Sequence, residues 1–236
     1  MKVLYAGDSE AGGPANYLLG ILRFMKARFV HIPPGQKIKP SLFKKRFDAV
    51  ILSDFSHKDM SSGAEQSLIE QVNSGTGFLM VGGWGSFAGP SGNWQGSKLS
   101  GIFPVHCLKH DDRMNFPSGA WVTPKRRHPI LQALSFSNPP VICGVNQIRA
   151  KSGCQTLLVA KRLIDGRDFP LLIISSDEKK RTAALATDLA PHWCGGLVDW
   201  GKRRLNLSVT GKIRIEVSDL YVKFVSSLVR WTARKD

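Results

Sequence analysis

The chain has 236 residues, 42% hydrophobic and 22% charged, enough to bury a full core in one large α/β domain. No apolar run approaches the ~20 residues that span a bilayer, and the opening apolar run is too short for a signal peptide and turns polar at Asp8, so a cytoplasmic protein without membrane contact is expected. The abnormal quantity is the formal net charge of +15, from 33 Lys and Arg against 18 Asp and Glu.

Residues 2–6 read as a strand that ends at Gly7-Asp8-Ser9. A turn at Gly12-Gly13-Pro14 leads to residues 16–26, whose apolar positions recur at helical spacing. Residues 29–32 form a second short strand stopped by Pro33-Pro34. Residues 48–52 are a third, a continuous apolar run as expected of a strand buried on both faces, ending at Ser53-Asp54. A helix over 64–73 is capped from Ser61 or Ser62, and residues 77–81 make a fourth strand. This order suggests a mostly parallel sheet covered by helices, with the loops 7–13, 53–56 and 82–94 on one edge. The middle is less regular. Short strands are expected at 102–107, 120–123, 141–144 and 156–160, with a Pro-opened helical turn at 128–134. Residues 170–174 and 181–186 read as a hairpin joined through 175–180. A closing helix over 216–231 carries Val217, Leu220, Phe224, Leu228 and Trp231 as its core stripe.

Two segments concentrate chemistry. Residues 184–201, ALATDLAPHWCGGLVDWG, leave an apolar run and then gather Asp188, His192, Trp193, Cys194, Asp199 and Trp200 around paired glycines. Residues 77–94, GFLMVGGWGSFAGPSGNW, repeat the plan with Gly82, Gly83, Trp84, Ser86 and Trp94. Both read as loops on the ligand side of a sheet, and together they suggest a pocket.

With VLYAGDS at 3–9, AVILSD at 49–54 and the His128-Pro129-Ile130 turn, these segments resemble the putative glutamine amidotransferase family of bacterial cytoplasmic proteins. The resemblance implies a class I glutamine amidotransferase-like fold, a three-layer α/β arrangement with a flavodoxin-like sheet, over residues 1–236 as one domain. It also implies where catalysis sits in active relatives. There a Cys nucleophile stands in a G-x-C-x-G elbow between strand and helix, and a His is followed two residues later by an acid. In this chain the elbow falls at Gly82-Gly83-Trp84-Gly85-Ser86, so Trp84, or Gly85 one residue on, occupies the nucleophile position. The His matches His192, but Cys194 stands in place of the acid. The family's glutaminase apparatus is therefore absent, and a pseudoenzyme that uses the old cleft for a small polar ligand is expected. The alternative is a divergent hydrolase or transferase.

Each candidate has a functional and a structural reading. His192, with Asp188, is a general base or a ligand donor, or it fixes its own loop. Cys194 is a thiol that His192 would activate, or a bystander. Ser9 and Ser86 are hydroxyl nucleophiles or turn formers. Asp8, Asp54 and Asp188 line a pocket or cap turns, with Asp199 a weaker candidate. Trp84, Trp94, Trp193 and Trp200 stack on a ligand, anchor a homo-oligomer or pin Gly-rich backbone. Gly82 and Gly83 cradle an anion with backbone N–H groups or simply turn. No cofactor is implied, and a dedicated metal site is not expected around one nearby His.

The four cysteines, Cys107, Cys143, Cys154 and Cys194, fit no metal spacing and are expected as reduced thiols, with Cys107 and Cys143 in the core. The basic clusters at 44–46, 125–127, 179–181 and 202–204 lie beside turns without an aromatic ladder. They read as solvated loops that give at most weak, nonspecific attraction to nucleic acid.

Overall fold

The structure, a computed structural model, describes residues 1–9, 13–175, 177 and 179–236. In chain order the elements are β1 (Lys2–Gly7), α1 (Ala15–Phe24), β2 (Arg28–Ile32), β3 (Ala49–Ser53), α2 (Ser62–Asn73) and β4 (Gly77–Val81). Then come β5 (Val105–His106), β6 (Arg113–Pro124), β7 (Val141–Asn146), β8 (Arg149–Ala150), β9 (Cys154–Arg162), β10 (Asp168–Ser175) and β11 (Thr182–Leu185). The chain closes with α3 (Pro191–Val198), β12 (Arg204–Ser208), β13 (Arg214–Ser218) and α4 (Asp219–Thr232).

Nine strands form one sheet in the order β2-β1-β3-β4-β11-β10-β9-β6-β7. The first five are mutually parallel. From β11 onward each neighbour is antiparallel. Every residue of β3 and β4 is buried, which is why both read as unbroken apolar runs. β2 lies at the edge and keeps Arg28 and Val30 exposed. The connections β1-α1-β2 and β3-α2-β4 travel in opposite directions across the sheet. Both are right-handed crossovers by rule, so α1 and α2 cover opposite faces. α4 packs beside α1 and against β4. A Cβ on Gly77 would stand 1.7 Å from the Thr232 carbonyl oxygen, so the last turn of α4 lies on the start of β4 at a distance only glycine allows. The α/β class and three-layer plan expected from the sequence hold.

The differences have local causes. The closing helix begins at Asp219, because residues 214–218 pair with β12 as a strand. Ser218 is extended and its hydroxyl accepts the Tyr221 N–H at 3.3 Å, capping the helix there. Val217 is thus a strand residue. Phe224, Leu228 and Trp231 form the buried stripe as expected, with Tyr221 and Val225 added, while Leu220 is only half-buried. Of residues 102–107, only Val105–His106 is strand; a single 3-10 turn, Leu99–Ile102, precedes it. The strand expected at 120–123 extends to Arg113, with a register shift between Asn115 and Ala120 where Gly119 has φ +81°. The Pro-opened turn is the 3-10 segment Pro129–Leu131, and Ser61 caps α2. β10 and β11 form the expected hairpin. Ser176 and Glu178 of its turn, and Gly12 of the turn before α1, lie outside the described residues. Cys143 is exposed and Cys107 half-buried, against the core placement expected for both. No helix among the described residues is long and apolar enough to cross a membrane.

Candidate functional site

Because β1, β3, β4 and β11 are parallel, their carboxyl ends share one edge. Asp8, Asp54, Gly82 and Asp188 follow those ends in turn. The crossover direction reverses between β1 and β3, where open α/β sheets leave a crevice. The two strand ends approach closely there: a Cβ on Gly7 would lie 1.7 Å from the Ser53 carbonyl oxygen. Asp8 and Asp54 each turn the chain with φ +50°, a conformation Asp tolerates better than most residues.

Burial sets the chemistry of the acids. Asp8 accepts a hydrogen bond from the Tyr5 hydroxyl at 2.6 Å. Burial nevertheless pushes its carboxyl up to about 7, against the lowering effect of Tyr5 and with Asp54 adding to the rise. Burial likewise raises Asp188 to about 7; the Cys194 thiol and the Trp193 N–H oppose this, and Asp8 and Asp54 reinforce it. Asp188 Oδ2 accepts the Trp193 N–H at 3.2 Å, inside the first turn of α3, while Oδ1 is buried without a hydrogen-bond partner among the described residues. Asp54 is also raised by burial, and is held down by the Gly85 N–H and by His192. His192 is exposed, with Nδ1 3.7 Å from Asp188 Oδ2 and its ring stacked on Trp193 at 6.0 Å. Asp8, Asp54, Asp188 and His192 therefore share one electrostatic neighbourhood. Near neutral pH the carboxyls of Asp8 and Asp188, both raised to about 7, offer a donor as well as acceptors. Among the described residues no group of three or more His, Cys, Asp or Glu is arranged to hold a metal ion.

Several candidates sit elsewhere than a ligand would need. The segment after Asp188, expected as a loop, is helical from Pro191, so Trp193 and Cys194 turn inward. Trp193 is 3% exposed and donates its indole N–H to Asn115 Oδ1 at 2.9 Å. Cys194 is fully buried and donates to the Ala190 carbonyl at 3.1 Å, and burial pushes its thiol well up, the reverse of nucleophile activation. Ser86 is fully buried; it donates to the Val81 carbonyl and accepts the Asp54 N–H at 3.1 Å. The N–H of Gly82 is taken by the Leu185 carbonyl at 2.7 Å and that of Gly83 by Asn146 Oδ1 at 2.9 Å, so the pair forms no anion cradle. Trp94 and Trp200 are buried, donating to Phe55 and Asn138 carbonyls. Asp199 caps the end of α3 and pairs with Arg204 at 2.6 Å. Ser9 is exposed beside Asp8. Of the four tryptophans only Trp84 faces solvent, 51% exposed, with the Arg113 guanidinium 4.0 Å above its ring. No helix follows β4: residues 82–98 are turns and bends, so the strand-to-helix elbow itself is missing.

Sequence reasoning missed the polar support of this loop. Asn146, at the end of β7, donates to Asp112 Oδ1 at 2.7 Å and to the Gly83 carbonyl at 3.2 Å. Asp112 Oδ2 accepts the Ala88 N–H at 2.8 Å. Both side chains are completely buried, and burial lifts Asp112 to about 6. A lone Asn closing an apolar run was the only signal of this.

Comparison with solved structures agrees with the fold. The chain is similar to the cytoplasmic protein STM3548 from Salmonella typhimurium, at 22% identity and TM-score 0.74 over 97% of this chain and 98% of that one. It is also similar to the cytoplasmic protein STM1381 from Salmonella typhimurium LT2, at 24% identity and TM-score 0.73 over 98% of each. The mmIFT52 N-terminal domain superposes with TM-score 0.67 at 10% identity, over 100% of this chain and 99% of that one. No curated protein matches the sequence. Residues 45–213, well over half of the chain, match the family described as putative glutamine amidotransferase. With the fold and that match in hand, the chain belongs to the putative glutamine amidotransferase family.

Proposed function

We propose that this protein is a binding protein without glutaminase activity, and that it holds a small, uncharged, hydroxyl-bearing ligand at the crevice between β1 and β3. The supporting observation is the trio Asp8, Asp54 and Asp188, all raised by burial, with Asp188 Oδ1 buried without a hydrogen-bond partner among the described residues. Asp8 and Asp188, raised to about 7, suit hydroxyls, which both donate and accept, better than the carboxylate of glutamine. Trp84 lies exposed on the loop that follows β4 at the same edge, a face on which a sugar ring stacks. The same reading fits the absence of a nucleophile: Trp84 holds the position that the Cys has in active relatives, no elbow forms there, and Cys194 and Ser86 are buried and hydrogen-bonded.

Ammonia release from glutamine by the purified protein is expected to match a heat-denatured control. Turnover above that control, abolished by Cys194→Ser, would overturn the reading. A panel of neutral monosaccharides and polyols is expected to include a saturable binder that Asp188→Asn weakens about tenfold. His192→Ala is expected to leave the melting temperature nearly unchanged, because the ring is exposed.

The contact of His192 with Asp188 supports a second reading, a hydrolase in which His192 acts as general base on water. It predicts ester hydrolysis that is lost in both His192→Ala and Asp188→Asn. Binding without turnover favours the first reading.

A further inference from the structure

A cavity lies at the opposite edge of the sheet. β6 runs antiparallel to β4, so its last residue, Pro124, sits where the parallel strands begin. There a cavity of about 620 Å³ is lined by residues that include Arg126, Arg127, His128, Leu131, Gln132 and Phe136. Its size falls within the range of small-ligand sites.

Its charge is one-sided. Among the described residues neither Arg126 nor Arg127 takes part in an ion pair. Asp236, whose charge acts on His128, is occupied by Arg181 at 2.6 Å, and Asp168 is occupied by Lys125 at 2.6 Å. Two adjacent guanidiniums without carboxylates keep their full capacity for bidentate bonds to an oxyanion. The wall is not a mobile rim alone. His128 caps the 3-10 turn by accepting the Ile130 N–H on Nδ1 at 3.2 Å, and its ring packs edge-on to Trp231 at 5.7 Å. With Nδ1 used as an acceptor, the neutral ring carries its proton on Nε2, a fixed donor. Leu131 and the half-buried Phe136 supply an apolar side, and Phe136 is braced by Trp200 at 4.9 Å.

We propose that this cavity is a binding site for a phosphate monoester with an apolar or planar body, such as a nucleoside monophosphate. Arg126 and Arg127 grip the phosphate, and the Leu131–Phe136 wall takes the body. The site is independent of the crevice at the other edge and uses none of its residues. It also gives one of the four basic clusters a defined role in place of general solvation.

The test is calorimetric titration of the full chain with phenyl phosphate, adenosine monophosphate, inorganic phosphate and a 20-mer oligonucleotide lacking terminal phosphate. Saturable 1:1 binding of both monoesters is expected, at least tenfold tighter than inorganic phosphate. The Arg126→Gln, Arg127→Gln double variant is expected to lose tenfold or more in affinity. Its melting temperature should stay unchanged, since both side chains are exposed and neither is in an ion pair among the described residues. Three outcomes would each overturn the proposal. One is no saturable binding of either monoester, and another is equal affinity in the double variant. The third is an oligonucleotide that outcompetes the monoesters, which would assign the arginines to a polyanion surface instead.

Discussion

At the scale of single residues, the acids of the crevice have a cost that can be measured. Asp8 has a folded-state value of about 7 against 3.8 for an ordinary Asp. Between those two values the unfolded chain has released a proton that the folded chain still holds, so stability falls as pH rises through this window. Below it the cost is absent, and above about 7 it is constant. Asp8→Asn keeps an acceptor for the Tyr5 hydroxyl and removes the titration. The variant is expected to match the parent near pH 4 and to melt a few degrees higher at pH 8, with a shallower slope between. Melting curves across that range check it, and a variant less stable than the parent at pH 8 would show that the contacts of the Asp8 carboxylate outweigh its desolvation cost. The same residues separate what was legible from what was not. Asp8, Asp54, Asp188 and His192 were recognisable because each closely follows an apolar run, and parallel strands end on one edge. Trp193, Cys194 and Ser86 were not separable from them in one dimension. The direction a side chain takes depends on the backbone after the strand, and in each case it turns inward.

At the scale of elements, α3 carries His192 and is seated on β7 through a glycine. A Cβ on Gly144 would stand 2.4 Å from Trp193 Nε1, with two more atoms of the indole within 2.6 Å. A rigid ring cannot yield locally, so Gly144→Ala must lift α3 or break the bond between Trp193 and Asn115. Overpacking of this kind costs about 1–3 kcal/mol. In a chain of this length that lowers the melting temperature by several degrees. A near-ultraviolet circular dichroism change in the tryptophan bands is expected alongside; an unchanged melting curve would show that α3 is not fixed by this contact. α3 itself was expected as a loop, because its acid, imidazole, thiol and indole gather around the Gly195-Gly196 pair after an apolar run. Packing against β7 overrides that propensity: Gly196 is required where a Cβ would meet the Val141 carbonyl oxygen at 2.3 Å. The β12-β13 hairpin was missed for a related reason. Its strands are five residues each with only Leu207, Val217 and Ser218 buried, a short pattern, and β13 runs straight into α4, so Val217 was absorbed into the helix period.

At the scale of the whole molecule, the net charge of +15 is the property most exposed to partners. It is expected to give nonspecific binding to DNA and RNA. Affinity should fall tenfold or more between about 50 and 200 mM salt, because counterion release drives it. Filter binding with several unrelated sequences at both salts decides this. A sequence preference that survives the higher salt would mean that one of the basic clusters reads bases. What the sequence by itself determined is the α/β class, the order of the first six elements, the family, and the collection of acids and a histidine after apolar strands. Those features are local: periodicity, turn chemistry and short motifs need no distant partner. Only the tertiary structure decided which of the collected residues are available. Burial raises Asp8 and Asp188 toward neutrality, Asn146 and Asp112 hold the Gly83 loop from another part of the sheet, and the pairing of β6 brings two arginines to a cavity at the far edge. Each of these depends on contacts between segments far apart in the chain, and desolvation and charge pairing are properties of that arrangement rather than of any stretch of sequence.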